Sequence, residues 1–165
     1  MRLEHPFDPI ADERSRVLVL GSFPSIKSFE KAFYYAHPRN QFWPLMEALF
    51  GVMLPDSESR RRFALEKGIA LWDTYASLIR ADANSSDANL KDLRPNDIPA
   101  FLTEHPSIIH VFCTGRKAYE GCRKHFPALG VPCSLLPSTS PAYAAMPFEE
   151  KLLAYGQLKA VLENV

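Results

Sequence analysis

The sequence predicts an α/β chain, a three-layer α/β/α sandwich around a four-stranded, mainly parallel sheet, formed as a single domain over residues 1–165. Three observations carry that expectation. Four short runs (Arg16–Leu20, Ile69–Trp72, Ile108–Cys113 and Cys133–Leu136) are too apolar to leave one face in water. They alternate with segments of helical period, as strand–helix–strand crossovers do. With 165 residues, 47% hydrophobic and 23% charged, the chain can bury one core and is too apolar for general disorder.

The elements follow in order. Residues 1–14 show no period and read as an irregular lead-in. Arg16–Leu20 is aliphatic and β-branched and stops at Gly21, which makes it a buried strand. Phe42, Leu45, Met46, Leu49 and Phe50 recur at spacings of three and four, one face of a helix. Ser57 to Lys67 reads as a polar helix beginning at a serine cap and ending at Gly68. Ile69–Trp72 is the second strand. Residues 73–96, dominated by Asp, Asn, Ser and Ala, read as a long functional or mobile loop. Asn96 or Asp97 can cap a helix through His105 that tolerates Pro99 in its first turn. Ile108–Cys113 is the third strand, followed by a helix with Ala118, Tyr119, Cys122 and Phe126 on one face. Cys133–Leu136 is the fourth, running into the loop Pro137–Met146. Pro147 suits a first helical position, and the last helix runs to Leu162.

Composition excludes several classes. Nineteen basic and nineteen acidic side chains cancel, so the broad positive field of a dedicated nucleic-acid binder is missing and any phosphate must be gripped locally. The run Val17–Leu20 is far below the roughly 20 residues of a membrane span. No basic-then-apolar leader is evident, so a cytoplasmic protein is the expectation. Cys113, Cys122 and Cys133 are odd in number, distant in sequence and outside any CxxC. Neither a disulfide framework nor a four-thiolate cluster is expected, and no metal or cofactor is assigned.

Ligands of open parallel sheets bind beyond the carboxyl ends of the strands. Two loops fall there: Gly21-Ser22-Phe23-Pro24-Ser25, and Leu136-Pro137-Ser138-Thr139-Ser140-Pro141-Ala142. Both set hydroxyl residues between prolines, which stiffens the backbone and suits a phosphate or a base edge, or simply makes two tight turns. The segment Tyr34-Tyr35-Ala36-His37-Pro38-Arg39-Asn40-Gln41-Phe42-Trp43 is more informative. Aromatics offer a stacking plane and amides read ring edges. Packing offers a plainer account of several of these residues: Phe42 and Trp43 as core, Asn40 as a helix cap, His37 as a structural histidine beside Pro38.

Taken together, these three segments and Thr114-Gly115-Arg116-Lys117-Ala118-Tyr119 resemble the uracil-DNA glycosylase superfamily. The match is nearest to its hypoxanthine-DNA (deoxyinosine) glycosylase branch, with the mismatch-specific uracil glycosylases as cousins. The resemblance implies a monofunctional glycosylase that hydrolyses the N-glycosidic bond of a flipped deaminated base. It implies DNA carrying hypoxanthine, uracil or xanthine as the partner, with no cofactor; a monomer is expected because it suits an enzyme that scans a duplex. Gly21, Ser22 and Phe23 match the loop lining the base pocket. Tyr35 matches the aromatic that stacks on the base, and Asn40 the residue that orients the attacking water. His37 could donate to the departing base or to a phosphate. Ser138, Thr139, Ser140 and Pro141 match the loop that presses into the minor groove. Ser25, Arg39, Arg116 and Lys117 would hold phosphates. Phe23 departs from the mismatch-specific branch, whose loop carries a water-orienting Asn at that position, and no acidic residue lies within the motifs. Water would therefore be positioned rather than strongly deprotonated.

Three other classes fit less well. A serine hydrolase could use Ser22, Ser25, Ser138, Ser140 and His37, but there is no GxSxG elbow. A nucleotide-binding module would show GxxxxGK[ST] or GxGxxG, and neither occurs. A non-catalytic DNA binder is disfavoured by the zero net charge.

Overall fold

Strands apolar on both faces require a helical layer on each side, and the computed structural model, which describes residues 2–80 and 90–164, has that arrangement. Strands β2 (Val17–Gly21), β3 (Ile69–Asp73), β6 (His110–Thr114) and β7 (Cys133–Leu136) form a parallel sheet of order β3-β2-β6-β7. Val17, Val19, Ile69, Leu71, Phe112 and Leu136 point to one side. There they pack on helices α2 (Phe42–Phe50), α3 (Ser57–Lys67) and α6 (Phe148–Glu163). Leu18, Leu20, Ala70, Val111 and Cys113 point to the other. That side is covered by α4 (Ile98–Glu104) and α5 (Arg116–His125). The period-two alternation of each strand is thus spent on two dry interfaces.

Four elements differ from the sequence expectation. The lead-in contains strand β1 (Arg2–Glu4), and the expected loop 73–96 contains β4 (Tyr75–Arg80) and β5 (Leu90–Pro95). These make a second, antiparallel sheet of order β1-β4-β5; the rest of that loop, 81–89, lies outside the described residues. Helix α1 (Ile26–Lys31) follows the first loop, with Ser25 as its cap. Caps also shift by one residue. Asp56, not Ser57, caps α3 in a capping box with Ser59, and Pro147 is the cap of α6 rather than its first residue. Asp97 caps α4, leaving the Asn96 side chain to donate to the Asp73 carbonyl at 2.8 Å. No helix among the described residues is long and apolar enough to cross a membrane.

The three cysteines do not stay apart. Pairing of β6 with β7 brings Cys113 beside Cys133, and α5 lays Cys122 over both, so all three sulfurs lie within 4.8 Å of one another. Distance in sequence misled because parallel neighbours are joined by a whole crossover.

Candidate active site

The carboxyl ends of β2, β3, β6 and β7 open into a cleft of about 1260 Å³. Its walls hold Gly21, Ser22, Phe23, Ser25, Tyr35, His37, Asn40, Arg116, Lys117, Ser138, Thr139, Ser140 and Pro141, so nearly every residue singled out from the sequence converges there. Arg39 does not. It lines a smaller adjoining hollow of about 250 Å³ with Gln41, Ser140 and Phe148.

Tyr35 is held from three directions. Its ring stacks on Phe42 with centroids 4.3 Å apart and planes at 19°. Thr114 Oγ1 donates to the Leu20 carbonyl at 3.3 Å, so the Tyr35 hydroxyl donates to Thr114 Oγ1 at 3.2 Å. Its backbone adopts φ +55°, a left-handed conformation costing a non-glycine residue about 1–2 kcal/mol. That strain persists because stacking and hydrogen bonding fix the ring. Burial, then the Asp73 carboxylate, push the phenol well above its ordinary pKa.

Asn40 is half-buried. Its Oδ1 accepts from the Phe42 N–H at 2.9 Å, which sets the entry to α2 and fixes the carboxamide at the cleft wall. A carbonyl oxygen carries two lone pairs, so Oδ1 retains one for a further donor. His37 Nδ1 accepts from the Arg39 N–H at 3.0 Å, which puts the ring proton on Nε2. Ser25 is committed to its own helix: Oγ accepts from Ser28 N–H at 3.2 Å.

The far wall is tied to this segment. Gln41 N–H donates to the Thr139 carbonyl at 3.0 Å. Buried Lys151 donates to Gln41 Oε1 at 2.7 Å and to the Tyr143 carbonyl at 2.8 Å. Burial lowers the pKa of Lys151. Ser138 and Ser140 oxygens accept loop N–H groups at 3.2 Å, as ST turns do, and each hydroxyl keeps its proton for another partner. Gly115, at φ +99°, lets α5 begin against Ser138: a Cβ there would sit 3.2 Å from the Ser138 Cβ. The N-terminus of α5, with Arg116 and Lys117, therefore faces the same cleft, a favourable place for an anion.

The sequence motifs contain no acid, yet the cleft does. Asp73, the last residue of β3, is buried and lines it. Its Oδ2 accepts from His5 Nε2 at 2.7 Å; His5 Nδ1 accepts the Phe7 N–H at 3.5 Å, which leaves the proton on Nε2. His5 is packed among Phe7, Phe23 and Tyr34. Gly21 makes room: a Cβ there would overlap Asp73 Oδ1 and come within 3.3 Å of the Tyr35 hydroxyl. Asp73 escaped the motifs, but its place at the end of a parallel strand, level with Gly21, was a usable signal.

The arrangement offers a stacking ring, an anchored carboxamide, a carboxylate acceptor and a rim of N–H, hydroxyl and cationic groups. Comparisons with known proteins place the chain in a family. The family model of the Uracil DNA glycosylase superfamily matches residues 8–159. A protein of Methanosarcina acetivorans described as a hypoxanthine DNA glycosylase is 31% identical over 144 residues, 85% of this chain and 88% of that one. One of the same description from Methanosarcina barkeri is 33% identical over 116 residues, 69% and 72% of the two chains. A solution NMR structure from Methanosarcina acetivorans, described as a candidate uracil DNA glycosylase, superposes with a TM-score of 0.81. Its identity is 28%, covering 99% of this chain and 98% of that one.

Proposed function

The chain belongs to the uracil DNA glycosylase superfamily, and from that premise we propose that it removes a deaminated base, hypoxanthine foremost, by hydrolysing the N-glycosidic bond of a nucleotide turned out of a DNA duplex. Its activity class is that of a DNA glycosylase.

The observation that carries the base assignment is the Asp73 carboxylate beside Gly21 and Tyr35. Deamination of adenine turns ring N1 from an acceptor into an N–H donor. A carboxylate only accepts. It takes the N1–H of hypoxanthine and repels the N1 lone pair of adenine, so a single group separates lesion from parent. The His5 N–H draws charge from Asp73, so the departing base does not face a bare anion. Uracil and xanthine also present a ring N–H and are the competing substrates.

The remaining groups have distinct tasks. Tyr35, backed by Phe42, stacks on the extruded base, worth about 1–3 kcal/mol against the extrusion cost. Loop N–H groups at Ser22–Phe23 and the His37 Nε2–H meet the charge that grows on the leaving base; one such donor is typically worth on the order of 3 kcal/mol of barrier. The free lone pair of Asn40 Oδ1 accepts a water proton and aims the water oxygen at the sugar carbon. Arg116, Lys117 and the Ser138–Pro141 loop hold the flanking strand. A wobble pair such as hypoxanthine–thymine opens more readily than a Watson–Crick pair, adding selectivity before the pocket is reached.

The test is excision from labelled duplexes holding deoxyinosine, deoxyuridine, deoxyxanthosine or adenine opposite each base, followed by hot alkali. Strand breaks that appear only after alkali, fastest at deoxyinosine, support the reading. Intact strands throughout, or equal cutting at adenine, reject it.

A further inference from the structure

On the opposite face of the sheet from Tyr35, the chain gathers all of its sulfhydryl groups. It has three cysteines, and their Sγ atoms lie within 4.8 Å of one another, with Cys113 and Cys133 3.7 Å apart. Cys113 comes from β6, Cys122 from the inner side of α5 and Cys133 from the first position of β7. Cys113 and Cys122 are buried, while Cys133 is partly open to solvent. We propose that these three thiols form a binding site for one soft monovalent d10 metal ion, of which the cuprous ion is the physiological representative.

Geometry and donor chemistry both point there. A metal about 2.3 Å from three coplanar sulfurs separates them by about 4 Å, inside the spread observed here. Thiolates are soft donors and favour copper(I), zinc or iron–sulfur clusters over magnesium or calcium. A structural zinc site takes four ligands, and among the described residues no histidine or carboxylate joins the group. Iron–sulfur clusters also take four cysteines. Three sulfurs without a fourth donor leave trigonal, monovalent coordination.

Binding one cuprous ion to the three cysteines displaces their thiol protons, which pass to solvent, with no change of oxidation state. The half-open Cys133 gives the ion its entrance.

The experiment is an anaerobic titration of the intact chain with copper(I), supplied as its acetonitrile complex against a bathocuproine competitor. It expects one ion per chain, three sulfur neighbours by X-ray absorption, and a rise in Tm measured without DNA. Cys133→Ser, at the partly exposed position, should weaken binding by about tenfold or more and abolish the Tm rise. Cys122→Ala, a small apolar replacement checked by circular dichroism, should do the same. The proposal is overturned if the chain binds no more copper(I) than a variant with all three cysteines replaced by alanine. It is equally overturned if Cys133→Ser binds as tightly as the parent, if two sulfurs suffice, or if zinc(II) binds more tightly than copper(I). None of these readouts depends on base excision.

Discussion

His5 donates to Asp73 across 68 positions of sequence, at 2.7 Å, and both side chains are almost wholly buried. The pair sits where β3 ends and the cleft begins, with Gly21 as the gap that admits the carboxylate. If Asp73 reads the base, Asp73→Asn exchanges a charged acceptor for an amide. A hydrogen bond to a charged group is worth about 1.5–3 kcal/mol. Single-turnover excision of deoxyinosine should therefore slow about 10- to 150-fold. An undiminished rate would remove Asp73 from recognition.

Tyr35 tests stacking separately from affinity. Tyr35→Ala loses the ring and should slow excision roughly 5- to 150-fold, the kinetic equivalent of about 1–3 kcal/mol, with non-specific duplex binding nearly unchanged. Tyr35→Phe keeps the plane and loses only the bond to Thr114, so most of the rate should survive. Equal loss of excision and duplex binding in the alanine variant would contradict the stacking role.

Asn40 has two duties that substitution separates. Asn40→Ala should cost about 1 kcal/mol of stability through the lost bond to Phe42 N–H. It should cost about 100-fold or more in rate through misplacement of the water. Asn40→Asp keeps an acceptor oxygen and should recover part of both. Calorimetry and single-turnover excision on the same samples check the pair of outcomes.

Stability should fall at alkaline pH. Burial, assisted by neighbouring charges, raises the phenol pKa of Tyr34, Tyr35 and Tyr155 above the ordinary value of 10.0. In the unfolded chain these groups lose their protons near pH 10, whereas the fold retains them. The unfolded state then binds fewer protons, so stability present below pH 10 is lost as pH rises through and beyond it. Melting temperatures from pH 8 to 11 should drop steeply above about pH 10, and Tyr155→Phe should flatten the drop. A flat profile to pH 11 would refute this assignment.

How much of this was legible in the sequence depended on range. Phe42–Phe50 and Cys133–Leu136 have the bounds their patterns predict, because period and apolar content are local. The parallel sheet followed from strands with no polar face. The second sheet did not, because Arg2–Glu4 is three residues whose strand partners lie some 75 positions away in β4. Tyr75–Arg80 was hidden by the polar tract after it. Tyr35 and Asn40 were legible from a dense motif. Asp73 needed the strand-end rule applied to every strand, and His5 gave no local sign, since its role exists only through a contact made by folding. The cysteine cluster could have been drawn from the predicted strands and helix face had β6 and β7 been taken as neighbours.

The most direct test is a crystal structure of the Asn40→Ala variant bound to a duplex with deoxyinosine opposite thymine, which removes the water-orienting group and leaves the pocket. The account predicts hypoxanthine outside the helix, its ring parallel to Tyr35 and N1 within hydrogen-bonding distance of Asp73. A lesion base still stacked in the duplex, or one in the cleft with its N1 edge turned from Asp73, would contradict it.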